Sequence, residues 1–270
     1  MAGQYAALFS LYFFLTDRNS IPRYGSAITA LVGVTAVYLS GVKSAMICLA
    51  ICLATFSTLF FWRSLTMRGL RVASWMARRR VSPFQVLALI AVVGVGGYFL
   101  AVNVGGEGVT GATQKITQTA PTHLFYAERG QFLEYTLDVL LPQYPLGAGL
   151  GRWGMMSYYF GNPHDLNSTP IWVEIQWTAW LVDGGVPLVL AYAFAIFLAT
   201  RFAIKCALRS PLADLAVLGA LVAAYDVGLL AGTFDYVPFI TGMGMDFWLL
   251  NALLFGAVVN AQRTNNSRTA

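Results

Sequence analysis

Apolar residues in this chain gather into long, nearly uninterrupted runs rather than alternating with polar ones. Seven such runs stand out, at 5–16, 26–39, 44–62, 84–103, 186–202, 212–233 and 238–260. About 20 apolar residues carry a helix across a bilayer, so the last five are clear transmembrane helices. The first two are shorter, weaker spans. The pattern predicts an all-α, polytopic membrane protein with about seven transmembrane helices and a large loop between the fourth and fifth spans.

That loop has its own periodicity. Residues 104–119 are rich in Gly, Thr and Gln and are expected to be a flexible loop. Between 125 and 141, Phe125, Phe132, Leu133, Leu137, Leu140 and Leu141 recur near helical spacing, with Glu128, Arg129, Glu134 and Asp138 between them. This is an amphipathic helix suited to lie on a membrane or a helical bundle. Residues 142–154 are turn-rich. A second helix is predicted over 169–183, with Pro170 in its first turn and Trp172, Trp177 and Trp180 as interfacial aromatics. It runs through Gly184 and Gly185 into the next span.

Composition agrees with the runs. Apolar residues make up 57% of the chain and charged ones 11%, against roughly 45–50% and about 25% in soluble domains. The formal charge of +5 would suggest nucleic acid in a soluble protein. Here it reports orientation and contact with membrane lipids, and no nucleic-acid partner is expected. All but four of the seventeen Lys and Arg residues fall on one side of the implied membrane, six of them (Arg63, Arg68, Arg71, Arg78, Arg79 and Arg80) in or beside one short loop. Short basic loops stay in the cytoplasm. Residues 1–103 are therefore expected to form N-terminal spans with a cytoplasmic basic loop at 63–83. Residues 104–185 are expected to form a large outer loop that any chemistry would face, and 186–270 C-terminal spans with a cytoplasmic tail. Its short first run lacks a basic leader and a cleavage site, which points to a missing N-terminal portion or a divergent start. Cys48, Cys52 and Cys206 are expected to be small buried hydrophobes, since none has a metal-ligand partner at suitable spacing.

The glycine-rich stretch Gly147-Ala-Gly149-Leu-Gly151 follows no strand, which argues against a dinucleotide loop. It reads as a tight turn that lets the backbone approach a neighbour or a phosphate. Arg129 opening the loop helix, Pro145-Leu-Gly147-Ala-Gly149-Leu-Gly151, His164 and the acid-Gly-Gly step Asp183-Gly184-Gly185 follow one another along the chain. In this order they resemble the C-terminal half of the O-antigen ligase and O-antigen polymerase superfamily, membrane glycosyltransferases of the GT-C type. The resemblance covers most of residues 40–260 and is most specific over 128–185. It implies transfer of a glycan from a polyprenyl-pyrophosphate donor to a sugar or lipid-linked acceptor at the periplasmic face of a bacterial inner membrane, with 104–185 as the periplasmic loop holding the active site. Arg129 matches the arginine that begins the family's large loop, and His164 resembles the family histidine, with Asp165 where the family usually has Asn. Lys43 stands where the family has an arginine; it keeps the charge but lacks the bidentate fork.

The residue chemistry supports such a site independently. A pyrophosphate leaving group needs cations to stabilise its growing charge, and Lys43, Arg129 and Arg152 can supply them. The attacking hydroxyl needs a general base, for which His164, Glu174 and Asp165 are candidates. Each also has an ordinary reading: Arg129 pairing with Glu128 or Glu134, Arg152 as a snorkelling anchor, His164 as a solvated loop residue. No cofactor is required, and no His, Asp and Glu cluster has metal-ligand spacing. Asp226 and Asp246 fall inside the last two spans, where acids are functional candidates. They could pair with an outer arginine or mark an ion or proton path, which keeps an ion-coupled transporter open as an alternative; a non-catalytic scaffold or a fragment of a larger enzyme is the other.

Overall fold

A computed structural model describes residues 2–16, 20–66, 83–118, 120, 123, 126–150, 152, 171 and 174–269. Every regular element among them is helical. In chain order these are α1 (Ala2–Thr16), α2 (Ser20–Leu39), α3 (Lys43–Thr66), α4 (Pro83–Gly105), α5 (Glu107–Gln118), a continuous helical stretch α6 (126–143), α7 (Gln176–Arg209), α8 (Ala213–Gly232) and α9 (Gly242–Thr269), with a 3₁₀ turn at Pro238–Ile240. Five of them, α3, α4, α7, α8 and α9, are long and apolar enough to cross a membrane; α1 and α2 contribute shorter apolar stretches. The chain is thus built as a membrane protein.

It divides into two compact units. One comprises Met1–Lys115, Ala199–Gly228 and Met245–Ala270; the other comprises Ile116–Leu198 and Leu229–Gly244. In the first unit, small residues let helices approach closely, as lipid-embedded packing requires. A Cβ on Gly33 would sit 2.6 Å from the Gly3 carbonyl oxygen, so α1 and α2 meet backbone to backbone. Gln4 Nε2 donates to the Ala45 carbonyl at 2.8 Å and ties α1 to α3. Gly219 allows α8 onto Ala203 and Cys206 of α7, and Gly228 allows it onto Cys52 of α3. Helix α8 is buried along 72% of its apolar window, against 22–33% in the other four long helices, so those four are left to face lipid. Cys48, Cys52 and Cys206 are all buried free thiols, as the sequence predicts.

Arg63, 6% exposed, is held inside this unit. Its Nη1 and Nη2 donate to the carbonyls of Ala207 and Ser210 at 2.9 and 2.8 Å. Those acceptors lie at the C-terminal end of α7, where carbonyls lack helical partners and the macrodipole favours a cation.

Three expectations need correction. Residues 107–118, expected to be a flexible loop, form α5. Val109 and Ala112 are buried, and Val109 packs beside Gly105. The helix expected over 169–183 is described from Gln176 onward, after non-helical residues at 174 and 175, and Pro170 and Trp172 lie outside the described residues. Trp180, expected at the membrane interface, is 3% exposed and stacks on Tyr192 at 4.6 Å.

Candidate functional site

The second unit collects most of the chemistry-bearing residues. Its first element, α6, carries the expected amphipathic pattern but is not a regular helix. Tyr126–Gly130 and Thr136–Leu140 are wound as π turns around the α-helical Gln131–Tyr135. Such widened turns recur at functional sites because they re-aim side chains, and Arg129 sits in the first of them. The buried Thr136 hydroxyl bonds that of Thr178, and Leu140 packs with Ala179, Leu181 and Val182; together these fasten α6 to α7.

Gln176, fully buried at the start of α7, organises the opposite side. Its backbone N–H points at the carbonyls of Thr233 and Tyr236, at 3.1 and 3.2 Å. Its side-chain Oε1 accepts from the Phe239 N–H at 2.9 Å. The loop after α8 is thereby pinned to the start of α7. This places Asp235, inside that loop, near Glu174, two residues before Gln176.

Arg129 lies between them. Its Nη1 is ion-paired with Glu174 Oε2, and its Nε stands 3.9 Å from Asp235 Oδ1. The three side chains are between about one-fifth and one-third exposed, open to solvent or ligand rather than sealed in a core. Arg129 therefore pairs across the fold, not with Glu134 of its own helix; the Glu128 side chain lies outside the described residues. One guanidinium between two carboxylates leaves the trio with one excess negative charge.

Two glycine motifs, separated by more than 30 residues, meet in the same unit. The Ala148 N–H donates to the Val182 carbonyl at 2.7 Å, and the Val186 N–H donates to the Pro145 carbonyl at 2.9 Å. Between them Gly185 adopts φ 67°, ψ −161° and breaks α7. A Cβ on Gly147 would come within 2.8 Å of the Gly184 backbone. The 145–149 turn thus approaches a neighbouring backbone, the first of the two partners its sequence suggested.

The remaining candidates are spread more widely. Arg152 is half-buried; its carbonyl accepts from the Ile171 N–H at 2.8 Å, beside the approach to Glu174, and no described residue bonds its Nε. His164 and Asp165 lie outside the described residues. Lys43 opens α3, in the other unit. Asp246 lies in the first turns of α9, half-buried. Asp226 is 1% exposed and accepts from Asn251 Nδ2 at 3.0 Å on Oδ1, so its described partner is an amide rather than an arginine. Among the described residues no three His, Cys, Asp or Glu side chains cluster as a metal site.

Sequence reasoning missed Gln176 and Asp235. Asp235 is the charged residue of the short connection 234–237 between two apolar runs, on the same predicted side as Arg129, and that shared side was the available signal. Gln176 carried none, because its partners lie about 60 residues away. Comparison with protein families, characterised proteins and solved structures finds no match to this chain.

Proposed function

We propose that the chain is a membrane glycosyltransferase of the ligase or polymerase kind, moving a glycan from a polyprenyl-pyrophosphate donor to a sugar hydroxyl at the periplasmic face of a bacterial inner membrane. The observation that carries this reading is the Arg129–Glu174–Asp235 trio. It joins a bidentate cation suited to phosphate to a carboxylate able to take a proton.

In this reading the donor's diphosphate takes Glu174's place on the Arg129 fork. That exchange frees the Glu174 carboxylate beside the reacting centre. The acceptor hydroxyl attacks the anomeric carbon as its proton passes to Glu174. The anomeric C–O bond to phosphate breaks, its electron pair leaving with the diphosphate that Arg129 neutralises. Arg152, whose Nε has no described partner, supplies a second cation, and His164 keeps the role the resemblance assigns it. Asp235 repels the diphosphate weakly and holds the guanidinium in place before substrate arrives.

The test is a reconstituted transfer assay with a fluorescent polyprenyl-pyrophosphate glycan. Arg129→Ala and Glu174→Gln should each slow transfer by at least about 100-fold while expression and thermal stability hold. Arg129→Lys should keep a small fraction of activity. Normal turnover by Arg129→Ala removes the trio from the mechanism.

A further inference from the structure

The first unit contains a second arrangement that the transfer reaction does not use. Asp226 on α8 lies about 9 Å from that helix's C-terminal end, counting six residues at about 1.5 Å each. Its Oδ1 accepts from Asn251 Nδ2 of α9 at 3.0 Å, and that same amide also donates to the Phe247 carbonyl at 3.0 Å. Both amide protons are then spent. The other carboxylate oxygen, Oδ2, is buried without a hydrogen-bond partner among the described residues. So are Asn251 Oδ1 and the hydroxyl oxygen of Thr200, whose side chain lies against the same carboxylate from α7.

Three helices of one unit thus bring a carboxylate, a carboxamide and a hydroxyl together, with Asn251 and Thr200 both neutral neighbours of the carboxylate. A carboxylate held in a low-dielectric span by neutral groups alone is undercompensated, because its lost hydration is repaid only by an opposite charge or by neutralisation. No Lys or Arg among the described residues forms an ion pair with it. The nearby titratable groups are Cys52 on α3, which feels the Asp226 charge, and Cys48 one turn away; neither can be a cation. Asp246 on α9 is half-buried about one turn before Asn251, and Arg201, next to Thr200 on α7, is exposed.

The donor set defines the occupant. Carboxylate, amide and hydroxyl oxygens are hard ligands and select hard cations. With a single negative charge among them, one positive charge gives a neutral cluster, whereas a divalent ion would leave an excess charge buried. We propose that Asp226, Asn251 and Thr200 form an intramembrane site for one monovalent cation, either a proton or a sodium ion. A proton on Oδ2 turns it into a donor, with the Thr200 hydroxyl beside it. A sodium ion would bind the carboxylate with that hydroxyl as a neighbouring ligand. This site is independent of glycan transfer and stands or falls separately from it.

The experiment follows the thermal midpoint of the purified full chain in nanodiscs. Sodium is titrated against choline at fixed pH, and pH is then varied without sodium. Wild type is compared with Asp226→Asn, which keeps the shape and removes the charge. A sodium-dependent rise in the wild type that is absent from Asp226→Asn assigns sodium. If sodium has no effect, and the wild type loses stability relative to Asp226→Asn as the pH rises, the occupant is a proton. Thr200→Val keeps the carboxylate and guards against failure of Asp226→Asn to fold. It should weaken the sodium midpoint by about tenfold or, in the proton case, alter the pH at which stability is lost. Identical responses to sodium and to pH in wild type and variants overturn the proposal.

Discussion

Replacing Gly185 with alanine tests whether the break in α7 holds the second unit together. Gly185 sits at φ 67°, ψ −161°, a region open essentially only to glycine, at a cost of about 1–3 kcal/mol for other residues. The new Cβ would lie 2.3 Å from the Pro145 carbonyl oxygen, 2.4 Å from the Leu146 carbonyl carbon and 2.5 Å from the Gly147 nitrogen. These are backbone atoms, so no side chain can swing aside, and the 145–148 turn has to move. Its two hydrogen bonds to Val182 and Val186 are each worth about 0.5–1.5 kcal/mol. The whole change should destabilise the fold by about 3–5 kcal/mol. Two other glycines separate the contributions. Gly149 has φ 98° but open space around its Cβ position, so its alanine variant should cost only the backbone part, about 1–3 kcal/mol. Gly94, mid-helix and equally uncrowded, should tolerate alanine with no loss. Unfolding by sodium dodecyl sulfate in mixed micelles, followed by tryptophan fluorescence, gives the three midpoints. A Gly185→Ala midpoint equal to that of Gly94→Ala would refute the close approach of the two glycine motifs.

Arg63→Ala should cost about 1–3 kcal/mol in the same assay, since two carbonyls at the end of α7 lose their side-chain donor; Arg63→Lys should recover only part of it. Gln176→Leu leaves the Phe239 N–H without its acceptor and should cost about 1–3 kcal/mol, while lowering transfer activity more than stability because Glu174, two residues before it, is no longer held beside Arg129. Asp235→Asn changes a 3.9 Å contact between side chains about one-third exposed, so stability should fall by no more than about 1 kcal/mol, and the KM for the lipid donor should fall rather than rise. Single cysteines at Lys205 and Phe234, in a background without native thiols, should react with a membrane-impermeant maleimide from opposite sides; labelling of both from one side removes the proposed orientation.

Much of this was legible in the sequence because membrane solvation leaves a coarse imprint. Twenty apolar residues in a row have few other uses, so all five long helices appear near their expected bounds, although α7 extends the 186–202 run at both ends to Gln176–Arg209. The amphipathic stretch carrying Arg129 was legible for the same reason. Helix α5 was not, because Gly108 and Gly111 lower its intrinsic propensity while the burial of Val109 and Ala112 overrides that preference. Trp180 misled because tryptophan suits both an interface and an aromatic cluster. The ion pair of Arg129 went to Glu174 and Asp235, not to Glu134 nearby in sequence, because the Gln176 clamp brings distant segments together. Nothing local encodes that clamp.

The interruption at Gly184 and Gly185 also acts as a ruler. The 24 residues after it, 186–209, extend about 36 Å as a helix, enough to cross a hydrocarbon core of about 30 Å with modest tilt. The eight residues before it form a separate piece about 12 Å long, set off by the break. Because Glu174 and Gln176 lie at the start of that piece, bilayer thickness would set the height at which Arg129 meets the proposed lipid donor. Reconstitution in lipids of graded acyl length should therefore tune the proposed transfer without altering a single side chain.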